Sequence, residues 1–501
     1  MIQSPLRFNS VYQALLDASQ GREAEPAVWF DGVWTSRRGL LDGIDRTVRH
    51  LRRLGVGTGD RFAFFGHNSL HHLLLYYAAA KFGAVVVPLN PNLTGSEIAY
   101  AVNHSRSKVL FHDAAGAEII DPATCNVPRV PVGTIDQEIE GDASAAAVAD
   151  DADFLDIYTS GSTGVPKAVM LGQGGQAGVP RSLARMWGIT EADTTLVALP
   201  MGYLYGLSTA AAVALQTGGK VVILRRFHSR DVLEAMAAHR ITVFHGVPTM
   251  YNMMISYAGQ NGLEFDLSHV RVLITSGAPT SAEALDAFER MFGARLQNYF
   301  ALSEATPAFG RFHDDPRPLP PGSAGLLAPE AEASIRLSDG TETPEGGIGE
   351  LYLRTAGLML RYDGAPEMTA ENLQDGYFRT GDLVRRDAEG FYYIVGRSKD
   401  MIIRGGANIS PIEVENVLTS DPAVDEAAVV GAADPIYGEV AVGFVTLHAG
   451  KHVDPAALIA LVAGRLSDFK VPRSVTVLAE MPYGKTGKID KAALRKLANG
   501  G

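Results

Sequence analysis

Short apolar runs recur between Arg61 and Ser276, and they constrain the fold of this chain more than any other feature. Helical stretches separate the runs along the chain. The runs are FAFF from Phe62, VVVPLN from Val85, FLDIY from Phe154, KVVIL from Lys220, ITVFHGV from Ile241 and VLITS from Val272. Strands that alternate with helices form βαβ units, which join neighbouring strands of a parallel sheet. The sequence therefore predicts an α/β fold with mainly parallel sheets flanked by helices.

The pattern changes after about Pro316, where Pro and Gly turns separate short alternating segments such as IGELYLR and GFYYIVG. Alternation with tight turns is typical of antiparallel sheets, so we expect a β sub-domain attached to the parallel core. A last segment from about Asp400 opens with a marked helix start, which has Ser410 as N-cap, Pro411 next and Glu413 three residues after the cap. This segment is predicted to be a small α+β domain. A chain of 501 residues exceeds what one core usually serves, so several domains are expected.

Charge and cysteine content exclude several classes of function. The chain has 44 Lys and Arg against 56 Asp and Glu, a formal net charge of -12, and no basic run. Such a surface repels phosphate backbones and anionic membranes, so we expect no nucleic-acid partner. No apolar stretch approaches the roughly 18 residues that span a bilayer, so no membrane span is expected. The single cysteine, Cys125, fits a cytoplasmic location, while the oligomeric state is not readable from the sequence.

The segment YTSGSTGVPK, from Tyr158 to Lys167, is the strongest local signal in the chain. Glycines allow a backbone to approach a ligand closely, while hydroxyls, amide N–H groups and a lysine bind phosphate oxygens. The segment lacks the glycine spacing of a P-loop, and Ser160 stands where a nucleophile elbow centred on Ser162 requires glycine. It therefore predicts a binding loop for a triphosphate. A plain hairpin turn between two strands is the alternative.

This loop resembles the phosphate-binding signature of the acyl-adenylate-forming superfamily, which includes acyl-CoA synthetases, luciferases and peptide-synthetase adenylation domains. Further segments resemble motifs of that superfamily in the same order along the chain. They are LPMGYLYGLS from Leu199, TSGAPTSAEAL from Thr275, NYFALSEATP from Asn298, the stretch that begins GYFRTGDLVRR at Gly376, and MPYGKTGKIDK from Met481. Six signatures in family order, spread over most of the chain, make it similar to this superfamily, and a hinge position with a Gly-rich loop resembles the acyl-CoA ligase branch.

The resemblance implies that the chain binds ATP and assigns a role to each matching residue. The first signature would hold the triphosphate through Thr159, Ser160, Gly161, Ser162, Thr163, Gly164 and Lys167. Phe300 takes the aromatic position expected against adenine, and Glu304 takes the position of the family's magnesium-linked glutamate. A hard dication such as Mg²⁺ prefers carboxylate oxygen, and it would screen the phosphate charges. The other nucleotide contacts implied in these segments are Gly277, Ala278, Pro279, Ala301, Leu302 and Ser303.

Three charged residues in the later motifs complete the implied nucleotide site. Asp382, in RTGD, matches the carboxylate that accepts hydrogen bonds from the ribose hydroxyls, and Arg397 resembles the arginine that braces the nucleotide. Lys488, in TGKI, matches the family's adenylation lysine. An ammonium group between the attacking carboxylate and the α-phosphate stabilises the transition state more than the ground state. With Glu304 and Thr163, Lys488 forms the predicted catalytic set.

The resemblance also implies two domains joined by a hinge at Lys399. The large N-terminal domain would span residues 1–398, with its β sub-domain at about 316–398. A small mobile α+β domain would span residues 399–501. In relatives the small domain turns after adenylation and presents another face for thioester formation, and such hinges are a few residues that absorb a large dihedral change.

Coenzyme A is the co-substrate that the resemblance implies, and two features would bind it. Gly405 and Gly406 would line the thiol channel, because paired glycines allow close approach of the backbone. Tyr437 lies where relatives often carry an aromatic residue for the coenzyme adenine. A packed surface tyrosine is the alternative for that position.

The acyl pocket is predicted from Tyr203, His245, Gly277, Phe300 and Ala301, and here the chain departs from the family pattern. Phe300 and Ala301 replace a common Tyr-Gly pair, and the added methyl group favours a small or flat acid. Tyr203 replaces a common histidine and so removes a titratable group. His245 ends an apolar strand, where a histidine is more often a hydrogen-bonded core residue than a substrate contact.

The sequence leaves three functions open. The first is an ATP-dependent carboxylic acid:CoA ligase, AMP-forming, for an aromatic or short-to-medium-chain acid. The second is an acid-adenylating enzyme that delivers to a carrier protein or an amine. The third is a non-catalytic nucleotide-binding or acyl-binding protein on the same scaffold, which the presence of Glu304, Asp382 and Lys488 argues against.

Overall fold

The structure is a computed structural model that describes residues 10–121, 123–159, 166–263, 265–277, 282–294, 296–405, 407–484 and 489–500. At positions 282–285 and 408 it describes the backbone alone. The chain divides into two compact units. Unit 1 comprises Met1–Ala333 and Leu353–Phe378, and unit 2 comprises Ser334–Tyr352 and Arg379–Gly501. The predicted hinge residue, Lys399, lies in unit 2, and its role as a hinge stays a prediction.

Strands and helices alternate through most of unit 1, and further strands and helices follow in unit 2. The strands are β1 Pro26–Phe30, β2 Val33–Ser36, β3 Arg61–Phe65, β4 Val85–Leu89, β5 Leu110–His112, β6 Arg129–Pro131, β7 Asp153–Thr159, β8 Lys167–Gly172, β9 Thr194–Val197, β10 Lys220–Ile223, β11 Val243–Gly246, β12 Val272–Thr275, β13 Leu296–Phe300, β14 Phe309–Gly310, β15 Leu326–Leu327, β16 Glu332–Arg336, β17 Ile348–Arg354, β18 Arg361–Tyr362, β19 Leu373–Gln374, β20 Tyr377–Arg386, β21 Tyr392–Arg397, β22 Ile402–Arg404, β23 Ala407–Ile409, β24 Val424–Asp434, β25 Gly438–Leu447 and β26 Ser474–Val477. The helices are α1 Val11–Ser19, α2 Arg37–Arg53, α3 Leu70–Phe82, α4 Gly95–His104, α5 Ala114–Ile119, α6 Gln173–Trp187, α7 Val213–Gln216, α8 Ser229–Ala238, α9 Pro248–Asn261, α10 Ala282–Phe292, α11 Pro366–Asn372, α12 Pro411–Leu418, α13 Pro455–Ala463 and α14 Lys491–Ala498.

Two large sheets form the frame of unit 1. Within the described ranges, one has the order β15-β14-β13-β12-β11-β9-β10-β1-β2 and the other has the order β18-β8-β7-β4-β3-β5-β6. The inner pairs are parallel, as in β9 with β10, β11 with β12 and β3 with β4. The six apolar runs in the sequence all form strands of these sheets, which confirms the predicted α/β fold.

The apolar composition of helix α3 places it in the interior of unit 1. Its sequence LHHLLLYYAAAKF is buried on all sides, since every residue from His72 to Phe82 is buried. A helix that is apolar all round packs in the interior. It ends at Gly83, whose φ of 78° in the left-handed region suits glycine, and the chain then enters β4.

Unit 2 contains a smaller sheet of five strands. Its order is β23-β22-β25-β24, with β26 paired to β25, and the core beside it includes Ile402, Val414 and Leu458. The side chain of Ser410 accepts a hydrogen bond from the Glu413 backbone N–H, so α12 begins at the N-cap that the sequence predicts. β20 and β21 form an antiparallel pair, as expected for the segment GFYYIVG.

In the part of the chain that the structure describes, no helix is both long enough and apolar enough to cross a bilayer. The single cysteine, Cys125, is buried in the core beside Ala63 and Val87.

A buried charge cluster joins three strands of unit 1. The Arg61 guanidinium on β3 donates hydrogen bonds of 2.6 and 3.0 Å to Asp363, and it lies 3.5 Å from the carboxylate of Asp156 on β7. Arg361 on β18 donates to Asp153 at 2.8 Å. Asp156 is fully buried, and its burial, with Asp363 and Asp153 nearby, raises its pKa to about 7 despite Arg61. Arg61 therefore faces several carboxylates at once.

We expect Arg61→Leu to lower the free energy of unfolding of unit 1 by about 3–5 kcal/mol, because removal of one partner leaves buried carboxylates without their cation. The matched control is Arg230→Leu, since Arg230 forms an exposed pair with Glu234 on α8. That change is expected to leave the unfolding midpoint nearly unchanged. Urea unfolding followed by fluorescence measures both variants. Equal shifts in the two variants would contradict a special role for the cluster.

Candidate active site

The two ends of the predicted phosphate loop are held together by an antiparallel hairpin. β7 and β8 pair so that Thr159 lies directly opposite Lys167. Strand β7 also pairs in parallel with β4, so one side of the hairpin belongs to the buried sheet. Between the two ends, residues 160–165 lie outside the described residues. The hairpin fixes where that loop leaves and re-enters the sheet.

Beside this hairpin, one tyrosine joins the predicted phosphate lysine to the predicted metal glutamate. The Tyr362 hydroxyl donates a hydrogen bond of 2.9 Å to Oε1 of Glu304. The Lys167 ammonium lies 5.0 Å from the centre of the Tyr362 ring. Tyr362 is only 3% exposed and pairs with Val169 on β8. The structure thus brings Lys167 and Glu304 to one point, although they are far apart in sequence.

Glu304 offers one carboxylate to a cation. Among the described residues, no group of His, Cys, Asp and Glu side chains could hold a metal ion without further ligands. This donor set fits Mg²⁺, which is commonly bound through one or two carboxylates while substrate phosphates and water supply the rest. It does not fit a structural zinc site, which needs several nitrogen or sulfur ligands.

The predicted adenine residues lie at the carboxyl ends of neighbouring parallel strands. β12 pairs with β13 in parallel, so Gly277 and Phe300 follow the same edge of the sheet. Phe300 is half-buried and stacks on Phe309 with ring centres 5.8 Å apart. Gly277 is exposed and has a φ of 91°, which other residues rarely adopt. Ligands of α/β sheets commonly bind outside the carboxyl ends of the strands.

The segment after Phe300 connects the adenine and metal positions. Leu302 and Ala305 exchange backbone hydrogen bonds of 3.3 Å, which forms a tight turn that includes Ser303 and Glu304. Ala301 packs against the buried cluster that contains Trp187 and Tyr299. The Met359 backbone N–H donates to the Glu304 carbonyl at 2.8 Å, so the segment before β18 also fixes this turn.

The predicted acyl-pocket residues Tyr203 and His245 are both enclosed. Burial raises the pKa of the half-buried Tyr203 hydroxyl, which also bonds to the Asn90 side chain. His245 is 1% exposed, and its ring lies edge-on to Trp187 at 5.3 Å and to Tyr205 at 5.7 Å. Neither of its ring nitrogens has a hydrogen-bond partner within the described ranges. This burial lowers the pKa of His245 to about 3.

Unit 2 contains the predicted ribose residue and its arginine. Asp382 on β20 lies opposite Arg397 on β21, and the Arg397 Nε–H donates to Asp382 Oδ1 at 2.7 Å. Asp382 is 3% exposed, and its backbone N–H donates to the Thr380 hydroxyl at 3.0 Å. The guanidinium of Arg397 keeps the acceptor oxygens of this buried carboxylate oriented.

A second cluster in unit 2 contains two of the residues predicted for coenzyme A. Gly405 has a φ of 59°, and its N–H donates to the Tyr437 carbonyl at 2.7 Å. The Arg404 guanidinium lies 4.9 Å from the centre of the Tyr437 ring, which is 45% exposed. Lys399 lies in the 3₁₀ turn Ser398–Asp400, and Asp400 pairs with Arg495 at 2.7 Å.

Several predicted residues lie outside the described residues. They are Ser160, Gly161, Ser162, Thr163, Gly164, Ala278, Pro279, Gly406 and Lys488. Their roles stay predictions.

Sequence reasoning missed Tyr362, which no motif singles out. The only local signal is alternation in the segment RYDG: on a strand, Arg361 and Asp363 face one side and Tyr362 the other. The charged neighbours do face the cluster around Arg61, and Tyr362 faces Glu304. The contacts of Tyr362 with Glu304 and Lys167 join residues that are distant in the chain, so motif spacing does not predict them.

The fold and the grouped residues define a class of protein that binds a nucleotide at the carboxyl edge of α/β sheets. Comparison with known proteins agrees, because the family described as AMP-binding enzyme matches residues 16–363 and the AMP-binding enzyme C-terminal domain matches residues 413–488. The chain belongs to the AMP-binding enzyme family. Membership implies the use of ATP and coenzyme A.

Three relatives illustrate this membership. The chain is 35% identical to a feruloyl-CoA synthase of Amycolatopsis sp over 94% of this chain and 95% of that protein. It is 33% identical to the indoleacetate–CoA ligase of Aromatoleum aromaticum over 91% of both chains. Among solved structures, the ATP-bound MatB from Rhodopseudomonas palustris aligns with a TM-score of 0.88 at 28% identity, over 97% of this chain and 98% of that one.

The unpartnered His245 predicts a loss of stability in acid. The folded chain holds its pKa near 3, below the ordinary value of 6.5, so between these values only the unfolded chain takes up this proton. Stability is therefore lost as the pH falls below about 6.5, by about 2 kcal/mol at pH 5. We expect His245→Phe to lose less stability than the wild type between pH 7.5 and pH 5.

Urea unfolding at the two pH values measures this difference, and each protein is compared with itself, so a change in packing cancels. The control is His228→Gln, which removes an exposed histidine of the same unit, and the pH dependence should change more in His245→Phe than in this control. An unchanged pH dependence in His245→Phe would contradict the prediction.

Proposed function

We propose that this chain is an AMP-forming ligase that activates a carboxylic acid with ATP and transfers the acyl group to coenzyme A. The observation that carries the proposal is the grouping in unit 1 of the hairpin ends, Lys167 and Glu304 around Tyr362. A cation and a carboxylate thus lie beside a loop with the composition of a phosphate site, which supports this function. Family membership and the CoA-ligase names of the relatives support it.

The first half-reaction needs charge stabilisation at the phosphates. A carboxylate oxygen of the acid attacks the α-phosphorus of ATP, the bond from that phosphorus to the bridging oxygen breaks, and pyrophosphate leaves. In the proposal, Lys167 and the loop from Thr159 bind the phosphates, and Thr163 lies in that loop. Glu304 holds Mg²⁺, which would supply charge neutralisation on the phosphate oxygens. Lys488 stabilises the attacking and leaving anions as their charge develops.

The remaining nucleotide contacts are assigned by their place in the fold. Phe300 stacks against the adenine, with Gly277 on its other side. Asp382 accepts hydrogen bonds from the ribose hydroxyls, and Arg397 orients that carboxylate. An ionised carboxylate can accept two hydrogen bonds at once, which suits a vicinal diol.

The second half-reaction forms the thioester. The thiolate sulfur of coenzyme A attacks the acyl carbon, the bond from that carbon to the phosphate oxygen breaks, and AMP leaves. We propose that Gly405 and Gly406 line the thiol channel and that Tyr437, under Arg404, stacks on the coenzyme adenine. We also propose Lys399 as the hinge between a domain of residues 1–398 and one of residues 399–501.

The acid is proposed to be aromatic, with short-to-medium-chain acids as the second choice. His245 is enclosed by the rings of Trp187 and Tyr205, and Ala301 adds a methyl group beside the same cluster. Aromatic rings pack well against such edges, and an unpartnered imidazole can bond to a polar substituent on the ring. Two relatives are named for aryl acids, ferulate and indoleacetate. A cytoplasmic location remains part of this proposal.

Pyrophosphate release over a panel of acids, with and without coenzyme A, tests this function. Aryl acids should be turned over faster than short and medium-chain fatty acids, and release should depend on coenzyme A. Release that needs hydroxylamine in place of coenzyme A would indicate transfer to a carrier protein or an amine. No release with any acid would indicate a binding protein and would exclude the proposal.

We expect Lys488→Ala to lose adenylation by a factor of at least 10², the size commonly seen when one stabilising charge is removed from a transition state. The same variant should still convert supplied acyl-adenylate and coenzyme A to thioester. Single-turnover assays of each half-reaction measure the two rates. Lys491→Ala, which removes a lysine that pairs with Glu415, is the control and should keep both rates. Equal loss of both half-reactions in Lys488→Ala would contradict a role confined to adenylation.

A further inference from the structure

We propose that Tyr362 is a positioning residue that keeps Lys167 and Glu304 in one site without letting them neutralise each other. The hydroxyl engages the carboxylate and the ring face engages the ammonium. The inference rests on the proposed function, because it gives the lysine and the glutamate their targets, the phosphates and the metal ion.

The geometry supports separate anchoring of the two charges. The Tyr362 hydroxyl donates to only one carboxylate oxygen of Glu304, at 2.9 Å. The Lys167 ammonium lies 5.0 Å from the ring centre, within the range of a cation–π interaction. Both charged residues are described by the structure, and no ion pair joins them. A direct pair would satisfy each charge with the other and weaken both as ligands.

A second trio in unit 1 shows the alternative arrangement. The Tyr377 hydroxyl donates to Glu332 at 2.8 Å, and the Arg354 guanidinium lies 5.0 Å from the Tyr377 ring centre. There, however, Arg354 and Glu332 also form a direct ion pair. Both of these charged side chains are about half exposed, at 44% and 52%. The same three kinds of group thus form a neutralised surface cluster in one place and a separated pair in the other.

The position of Tyr362 is strongly fixed. On one flank Arg361 bonds to Asp153, and on the other Asp363 bonds to Arg61. The Asp363 backbone N–H donates to the carbonyl of Ala168 at 2.8 Å. Ala168 is the residue of β8 that follows Lys167, so this bond holds the segment of Tyr362 against the start of β8. The ring therefore cannot follow Glu304 or Lys167 if either moves. A rigid ring sets the positions of both charges before ligand binds, which lowers the cost of ordering them.

The test measures ATP binding as a function of Mg²⁺ concentration by isothermal titration calorimetry, with no acid present. Tyr362→Phe removes the hydroxyl and keeps the ring. In Tyr362→Phe, the Mg²⁺ concentration that gives half of the metal-dependent gain in ATP affinity should rise about tenfold, because a hydrogen bond to a charged acceptor is lost. The ATP affinity of this variant without metal should not change. Tyr362→Leu removes the ring as well and should also weaken ATP binding without metal by a few-fold.

Tyr377→Phe is the matched control, because it removes the same hydroxyl from the neutralised trio. It should leave both the Mg²⁺ requirement and the ATP affinity unchanged. Thioester formation from supplied acyl-adenylate should also stay at the wild-type rate in Tyr362→Phe, because that step involves no triphosphate. A general loss of structure would lower this rate too, so equal loss in both half-reactions would overturn the inference.

A double-mutant cycle separates a positioning role from a purely structural one. If Tyr362 acts through the carboxylate, Tyr362→Phe should have no further effect on the Mg²⁺ requirement in a Glu304→Gln background. Additive effects in the cycle would overturn the inference, and so would an unshifted Mg²⁺ requirement in Tyr362→Phe alone. Neither result would affect the proposed function, whereas wild-type protein that binds Mg²⁺ and ATP but activates no acid would overturn that function alone.

Discussion

The pairing of strand β18 with strand β8 is the interaction on which the candidate site depends. β8 begins at Lys167, and β18 carries Tyr362, so their register decides which side chains meet. A largely buried pair of Arg61 with Asp363 and a partly exposed pair of Arg361 with Asp153 hold that register. Buried ion pairs are a poor source of net stability, because desolvation offsets most of the attraction. Their value here is specificity, since a slipped strand would leave buried carboxylates without a cation.

The arrangement of charges also matters in the candidate site. Lys167 and Glu304 serve the proposed chemistry only if each keeps unsatisfied bonding capacity for a ligand. An aromatic ring with a hydroxyl at its edge suits this purpose, because its face attracts a cation and its edge donates to an anion. The exposed trio around Tyr377 has no such requirement, and there the cation and the anion pair directly. Burial of the ring, at 3% exposure for Tyr362, excludes water that would otherwise compete for both contacts.

The residues proposed to bind the substrates are divided between the two units. Unit 1 contains the hairpin, Glu304 and the aromatic cluster around His245, whereas unit 2 contains the Asp382–Arg397 pair and the Gly405–Tyr437 contact. A neutral histidine inside a ring of aromatic side chains is an uncommon feature of a core, because both nitrogens forgo hydrogen bonds at a cost. In the proposed function, this imidazole bonds to a polar substituent of the acid and so contributes to substrate choice.

The sequence by itself determined the strands, their parallel sheets and the cap of α12, and it supplied the candidate nucleotide-site residues, whose roles stay predictions. Each of these depends on local composition or on motif spacing, as in the apolar run at Phe62 or Ser410 three residues before Glu413. Tertiary structure alone decided that Tyr362 meets Lys167 and Glu304 and that Arg61 meets Asp363. It also decided that neither ring nitrogen of His245 has a hydrogen-bond partner among the described residues. These contacts join residues distant in the chain, and no local periodicity encodes them. They follow from strand register and packing, which only the folded chain fixes.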